Sequence, residues 1–413
     1  MLQDEITLVH PDPPKPRYVR LSVDGTRFDR ASWAGSGKPR HSGKTYASES
    51  NARVALERES ARRMQEGFVL LREPDEVATG EIVMQCAVPN RYASDAFDLH
   101  PDGHTLAVGT VLHQGYGAEI HLIDVWTGQR RLIHTEPATS EQSFIHTVLF
   151  DGDGQGLVFT VDGETRHLDL DTGASRVIAS YQQHRSTRFN PFRVQPSWDR
   201  ARKRLLAFDA EDVVRVLDAA GNPLLEVPTQ GRPECQAGAL SRSGRLLVLG
   251  YQQLETEIWQ VDTGEKLWSG RFPFAFDRSA SGLGLDNIGF DPTERFVVAD
   301  AGYAEGPGAM SVESGVLAWA IHDPYRTDRW GTCYSWTYSP DGTLLAIGKR
   351  GGIELRNAAT QELLPGQLPP SATGDTRRVV FSADGQFIAA GGNTGRLSVH
   401  VVRNPYAPGP AAR

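Results

Sequence analysis

Residues Tyr334 to Gly366 read YSWTYSPDGTLLAIGKRGGIELRNAATQELLPG. They contain three short alternating runs and a weaker fourth. The first run ends in Ser339-Pro340-Asp341-Gly342, where proline fixes φ and Asp-Gly permits a tight reversal. Thr343–Ile347 is a short apolar run, Gly348–Gly352 is a second turn, and Ile353-Glu354-Leu355 restarts the period of two. Four antiparallel strands of this kind cannot bury both faces alone and must stack on copies of themselves.

Working outward, the first turn recurs at Pro101-Asp102-Gly103, Gly152-Asp153-Gly154, Arg200-Ala201-Arg202, Arg242-Ser243-Gly244, Pro292-Thr293-Glu294, Pro340-Asp341-Gly342 and Ala383-Asp384-Gly385. The third residues are spaced by 51, 48, 42, 50, 48 and 43. A second anchor, between third and fourth runs, recurs at Thr127-Gly128, Thr172-Gly173, Ala220-Gly221, Thr263-Gly264, Ser314-Gly315 and, more weakly, Thr360-Gln361. Two anchors drifting in step predict an all-β, seven-bladed β-propeller of four-stranded units.

On these residues the chain resembles the WD-repeat family over about residues 81–403. The positions of that family's Trp-Asp pair are Ile123-Asp124, Leu168-Asp169, Leu217-Asp218, Trp259-Gln260 and Arg356-Asn357, so the Asp stands in three units and the Trp in one. The Gly-His pair that opens many such repeats is missing. The last unit has Arg377–Ser382, Gln386–Ala390 and Arg396–Val402, and then runs into Asn404-Pro405 and a tail at 404–413. Its missing fourth strand is expected from Glu81–Ala87 (EIVMQCA), which would join the chain ends and remove an open sheet edge.

At 413 residues the chain has room for a propeller and one small extra domain. No apolar run approaches membrane-span length, and the acidic start MLQDEITLVH has no signal-peptide pattern. Three isolated cysteines (Cys86, Cys235, Cys333) give neither a disulfide framework nor zinc spacing, which favours a reducing cytoplasm. The net charge of −8 is uneven: residues 14–73 carry 13 basic and 7 acidic residues, and the remainder 30 basic and 44 acidic. A basic module on an acidic body suggests different partners for the two parts, unless the charges only solvate a surface.

Residues 1–15 are Pro-rich and polar and read as a disordered lead-in. Arg17–Val23 alternates, Asp24-Gly25 turns, and Thr26–Trp33 returns. Gly35–Gly43 reads as a loop and Lys44–Ala47 as a short strand. A helix capped by Ser48 or Ser50 should bury Val54, Ala61, Met64 and Phe68 and pair Glu59 with Arg63. Gly67 ends it, Phe68–Leu71 forms a last strand, and 74–80 is a linker.

This order, a small α+β domain over 16–73, resembles a WGR domain. The matching stretches are Trp33-Ala34-Gly35-Ser36-Gly37, Thr45-Tyr46-Ala47-Ser48 and Glu66-Gly67-Phe68. In some members of that family the motif Trp and Arg contact a DNA end. Here Trp33 is present and Gly35 takes the place of the Arg. The resemblance implies a nucleic-acid surface in which Trp33 stacks on a sugar or base, with Lys38, Arg40, Lys44 and Arg30 on phosphates. The alternative is that Trp33 is the core of a small domain. Gly37–Thr45 nearly spells a phosphate-binding loop, but it has five residues between the glycines instead of four, Pro39 removes a donor, and the helix starts too late.

Three long segments joining outer to inner strands are rich in arginine and aromatics, the residue types enriched at protein interfaces. They are Ser180–Gln195 with Arg185, Arg188, Phe189 and Phe192, Gly270–Ser281 with Arg271 and Phe274, and Ile321–Tyr334 with Arg326 and Trp330. They would form one partner-binding face, or their aromatics would fill wedges between blades. His104, His113 and His121 are too loosely spaced for a metal site, and Cys333, eleven residues after His322, has no base or oxyanion donor placed beside it by the sequence.

The expectation is therefore a non-enzymatic scaffold without cofactor or metal, whose propeller holds a protein partner and whose basic module holds DNA or RNA. One alternative is a protein-docking module in a purely protein-interacting subunit of a bacterial multi-component system. The other is a propeller hydrolase using the central channel, which would need converging carboxylates or histidines that the inner-strand starts do not repeat.

Overall fold

A computed structural model describes residues 4–11, 15–88, 96–111, 117–137, 145–161, 163–180, 196–199, 201–209, 213–229, 235–274, 285, 287–300, 306–321, 333–349, 352–364, 376–392 and 395–406. The N-terminal part contains β1 (Glu5–His10), β2 (Arg17–Asp24), β3 (Arg27–Ala34), β4 (Arg40–Thr45), α1 (Glu49–Gln65), β5 (Val69–Leu71) and β6 (Ile82–Ala87).

Five four-stranded antiparallel sheets follow. They are β7–β10 (Phe97–Leu99, Thr105–Val111, Ala118–Asp124, Arg130–Glu136), β11–β14 (Ile145–Phe150, Gly156–Val161, Glu164–Asp169, Ser175–Ser180), β15–β18 (Ser197–Trp198, Arg204–Asp209, Val213–Asp218, Pro223–Pro228), β19–β22 (Cys235–Leu240, Leu246–Tyr251, Glu255–Gln260, Lys266–Arg271) and β23–β26 (Asn287–Phe290, Phe296–Asp300, Gly308–Ser311, Leu317–Ala320). A sixth has three strands, β27–β29 (Cys333–Tyr338, Leu344–Lys349, Gly352–Asn357), with one bridge from Arg356 to Leu363 in the place of a fourth. These six blades build a mostly-β propeller. The last strands, β30 (Thr376–Phe381), β31 (Phe387–Gly392) and β32 (Arg396–Val401), belong to a nine-stranded sheet ordered β30-β31-β32-β6-β5-β1-β2-β3-β4.

Backbone geometry explains the recurring turns. Gly103, Gly154, Gly244, Gly342 and Gly385 have φ between 72° and 77°, and Arg202 and Glu294 hold the same left-handed position at 51° and 60°. The second anchor is left-handed too, from Gly128 to Gly315, with Gln361 at 63°. Glycine recurs because this region costs other residues about 1–2 kcal/mol. The repeated Asp has a local task. Asp124 Oδ1 accepts from the Trp126 and Thr127 amides and the Thr127 hydroxyl, Asp169 does the same with Asp171 and Thr172, and Asn357 accepts from Ala359 and Thr360. Each carboxylate or amide therefore closes a turn.

Alternation supplies the core. Apolar side chains from adjacent blades meet in clusters: Phe150 and Phe159 with Ile120, Leu249 with Val214, and Ile288 with Val248. Fully burying each such side chain is worth about 1.5–3 kcal/mol. β32 pairs with β6, placing Leu397 opposite Cys86 and Val399 opposite Met84. Their buried cluster includes Phe97 and Leu106 of the first blade, while Val379 and Ile388 pack with Leu344 and Ile353 of the sixth.

The N-terminal part differs from its sequence reading in three ways. Residues 5–10 form a strand instead of a disordered lead-in, pairing with β2 and β5 and burying Leu8 completely. The alternation of EITLVH outweighs the neighbouring prolines. The loop read over 35–43 gives up 40–43 to β4. Helix α1 is capped by Ser48, one of the two expected serines, and buries the expected Met64, but its other buried residues are Ala52, Leu56 and Ser60, whereas Val54 stays 39% exposed. The core stripe runs at intervals of four and alternates the small Ala52 and Ser60 with Leu56 and Met64, so a search for large apolar side chains sees only half of it.

The segment read as a linker is tied down. Gly80 N–H donates to Val401 O at 2.8 Å, Arg403 donates to Val77 O at 3.0 Å, and Val77 is buried. His400, fully buried, lies 3.0 Å through Nδ1 from Gly80 O and 2.8 Å through Nε2 from the Ser398 hydroxyl. β5 then pairs with β6, Leu70 opposite Gln85, so the basic module and strands β30–β32 share one sheet.

Candidate functional site: a basic sheet edge and an aromatic stack

The β2–β3 hairpin fixes the geometry of the basic module. Its short turn sets Tyr18 opposite Trp33, Arg20 opposite Ala31 and Leu21 opposite Arg30. The β3–β4 register adds Ser32 opposite Arg40, Arg30 opposite Ser42 and Phe28 opposite Lys44. Directly opposed residues share a sheet face and successive residues alternate. Arg30, Arg40 and Lys44 therefore stand on the face that carries Val19, Leu21 and helix α1. Trp33 stands on the other.

The alternation divides the five nucleic-acid candidates. Trp33 stacks on Tyr18, with ring centroids 5.2 Å apart and planes at 13°. One face of the indole is thus occupied by the phenol. Arg30 turns to the helix and meets Glu59 at 3.3 Å. Glu59 also binds Arg62 at 2.6 Å and the expected Arg63 at 3.0 Å. The Arg62 hydrogen bond, followed by those from Arg63 and Arg30, holds the Glu59 carboxyl down to about 2 against its burial. Lys44 lies 5.0 Å from the centre of the Tyr46 ring. Lys38 and Arg40 are exposed, and among the described residues neither has a carboxylate partner.

Strand β4 is the outer edge of the nine-stranded sheet, and all six of its residues are exposed. Sequence reading missed Tyr18 as the partner of Trp33 because it placed the turn at Asp24-Gly25; the turn lies one position later, at 25–26 with Asp24 opposite Arg27, and that shift changes every cross-strand partner. It also left out Arg20 and His41, which flank Ala31 from β2 and β4 on the Trp33 face.

On the propeller, the three Arg- and aromatic-rich segments run from β14 to β15, β22 to β23 and β26 to β27, each from the last strand of one sheet to the first of the next. Arg185, Arg188, Phe189, Phe192, Arg326 and Trp330 lie outside the described residues, as do His113 and His322. Arg271 is exposed. Phe274 is half-buried, 4.7 Å from the buried Phe272 ring, and it covers Gly308, where an added Cβ would come within 2.9 Å of its ring. Phe274 therefore packs between sheets. Cys86 is buried, which pushes its thiol pKa up, and Cys235 is buried as well. Among the described residues, no three His, Cys, Asp or Glu side chains converge on a metal position, and no helix is long and apolar enough to cross a membrane.

A chain in the crystal structure of a mitotic checkpoint complex superposes with a TM-score of 0.58 at 14% identity, covering 81% of this chain and 95% of that one. At this identity the likeness concerns the fold alone, a β-propeller. No protein-family model matches the sequence, and no curated protein matches it.

Proposed function

We propose that the chain is a non-enzymatic protein-interaction scaffold. In this reading the strands β30, β31, β32 and β6 make a seventh blade closed by the N-terminal strand. The basic module is a fixed extension of that blade. The observation that carries the reading is the unbroken nine-stranded sheet, which ties the module to the propeller through β5 and β6. Two interaction surfaces, the Arg-rich propeller segments and the basic module, are then held in constant relation. Protein partners also fit the chain's likeness to a chain from a multi-protein complex.

The test is quantitative capture of partners by the full chain and by a variant with Arg185, Arg188, Arg271 and Arg326 all changed to Glu. Loss of the captured set with the fold intact supports the reading. Retention of every partner removes the propeller face from it.

A second reading keeps nucleic acid as the ligand of the module. The Tyr18–Trp33 stack and the basic surplus of residues 14–73 favour it. Labelled blunt DNA, single-stranded DNA and RNA across a salt series test it. Binding that falls with salt and weakens in Trp33→Ala and Lys38→Ala supports this reading. No binding at low salt leaves the module to proteins alone.

A further inference from the structure

We propose that β4 receives an extended, acidic segment of a protein partner as a tenth strand of the sheet. This rests on the scaffold reading and names the kind of partner the basic module would take. β4 pairs with β3 along one side, and among the described residues nothing pairs with its other side.

The phase of the ladder identifies the open groups. Tyr46 N–H donates to Thr26 O at 2.9 Å, and hydrogen-bonded pairs alternate along an antiparallel ladder. Arg40, Ser42 and Lys44 therefore direct their backbone groups at β3. His41, Gly43 and Thr45 direct theirs outward, offering three N–H donors and three carbonyl acceptors to an incoming strand.

Edges are commonly blunted by proline, bulges or inward charges. Here β4 has no proline, and its register with β3 is unbroken from Arg40 to Thr45; the charges that guard it, Arg40 and Lys44, are both positive, so they oppose a basic strand and admit an acidic one. Gly43 at the centre lets another backbone approach closely. The Asp29 carboxylate, paired with Arg27 at 2.7 Å, fills the space beside it: a Cβ at Gly43 would lie 2.1 Å from Asp29 Oδ1.

Charge selects the occupant. Residues 30–48 contain no carboxylate, and of their four cations Arg30 is already paired with Glu59, which leaves Lys38, Arg40 and Lys44 to face a partner. Pairing with a second copy of β4 would set like charges against each other across the new ladder, which is unfavourable. An acidic strand is favoured. Arg40 and Lys44 stand on one face, four residues apart, so the partner segment should carry acidic residues at positions i and i+4 opposite them. Main-chain bonds then supply affinity and the two charges supply register.

The test uses the full chain and a fluorescent decapeptide of alternating valine and threonine with two glutamates four positions apart. We expect salt-sensitive binding. His41→Pro removes one outward donor and leaves the β3 pairing intact, and it should weaken binding by about tenfold or more. The Arg40→Glu/Lys44→Glu double variant should weaken it similarly and recover it for a peptide carrying lysines at the two positions. N-methylation of one alternate set of peptide amides should abolish binding, and of the other set should not. The proposal is overturned by an absence of peptide binding at low salt with the fold intact by circular dichroism. It is equally overturned if binding is unchanged in His41→Pro. Preferential binding of a single-stranded oligonucleotide, sensitive to charge reversal and insensitive to His41→Pro, would reassign the edge to nucleic acid and also overturn it. None of these outcomes depends on the propeller segments, so the scaffold reading stands or falls separately on partner capture.

Discussion

Arg202 links three successive blades, and its replacement gives a stability change with a fixed order of effects. It occupies a left-handed turn position, φ 51°, where most units have glycine. Its Nη1 lies 3.1 Å from Asp98 Oδ2 of the first blade and donates to Phe150 O of the second. Asp98 also accepts from Phe150 N–H at 2.9 Å. The Asp98 side chain is 6% exposed and that of Arg202 21%. Removing one partner of a buried pair costs about 3–5 kcal/mol, and the partial exposure of the arginine places Arg202→Ala near the lower end, about 3 kcal/mol. Alanine keeps the left-handed cost, whereas glycine returns about 1 kcal/mol of it, so Arg202→Gly should cost about 2 kcal/mol. At about 2 °C per kcal/mol, the melting temperature should fall by about 6 °C for Ala and 4 °C for Gly. The assay is thermal unfolding at pH 7 with matched scan rates, supported by a double-mutant cycle with Asp98→Asn that should show a coupling above about 1 kcal/mol. An Ala variant that melts with the wild type, or above the Gly variant, would refute the argument.

Three more outcomes are expected. Gly128→Ala adds a Cβ within 2.4 Å of Val69 Cγ2 at φ 68°, beside a buried β5 residue, and should destabilise the chain by about 2–4 kcal/mol in urea unfolding. Burial holds the His400 pKa down to about 4, against a weaker opposing hydrogen bond to Gly80. The unfolded chain takes up this proton below about pH 6.5, so the stability from the neutral form is complete above that pH and drains away by up to about 3 kcal/mol as pH falls towards 4. His400→Gln should flatten the decline measured between pH 6.5 and 4.5, and an unchanged slope would exclude His400 as its source. Glu59→Ala releases Arg30, Arg62 and Arg63 at a partly exposed site. It should lower stability by about 1 kcal/mol after solvent screening, with the loss reduced at high salt.

The propeller architecture was legible because its turns are local. A left-handed turn residue must be glycine or accept strain, so Gly103, Gly154, Gly244, Gly342 and Gly385 mark their turns in any context. Asp124 and Asp169 close turns with amides two and three residues away, again within reach of a sequence pattern. The Glu59–Arg63 pair and the Ser48 cap are local in the same sense. The same locality makes Arg202 and Glu294 readable as turn residues but hides what their side chains hold. Arg202 reaches Asp98 across 104 positions, and Glu294 accepts from Ser243 N–H and Oγ–H in the preceding blade.

The candidate surfaces divide along the same line. Composition alone determined that the first module is basic, that it carries Trp33, and that residues 30–48 lack carboxylates. Only the tertiary structure decided that β1 joins the sheet, that Trp33 and Arg40 stand on opposite faces, that Phe274 packs over Gly308, and that β4 ends the sheet. Turn geometry and capping depend on residues within a few positions of one another, so the chain records them directly. Face, edge and burial depend on which strands meet, and that is settled by the total apolar surface the assembled sheets can bury.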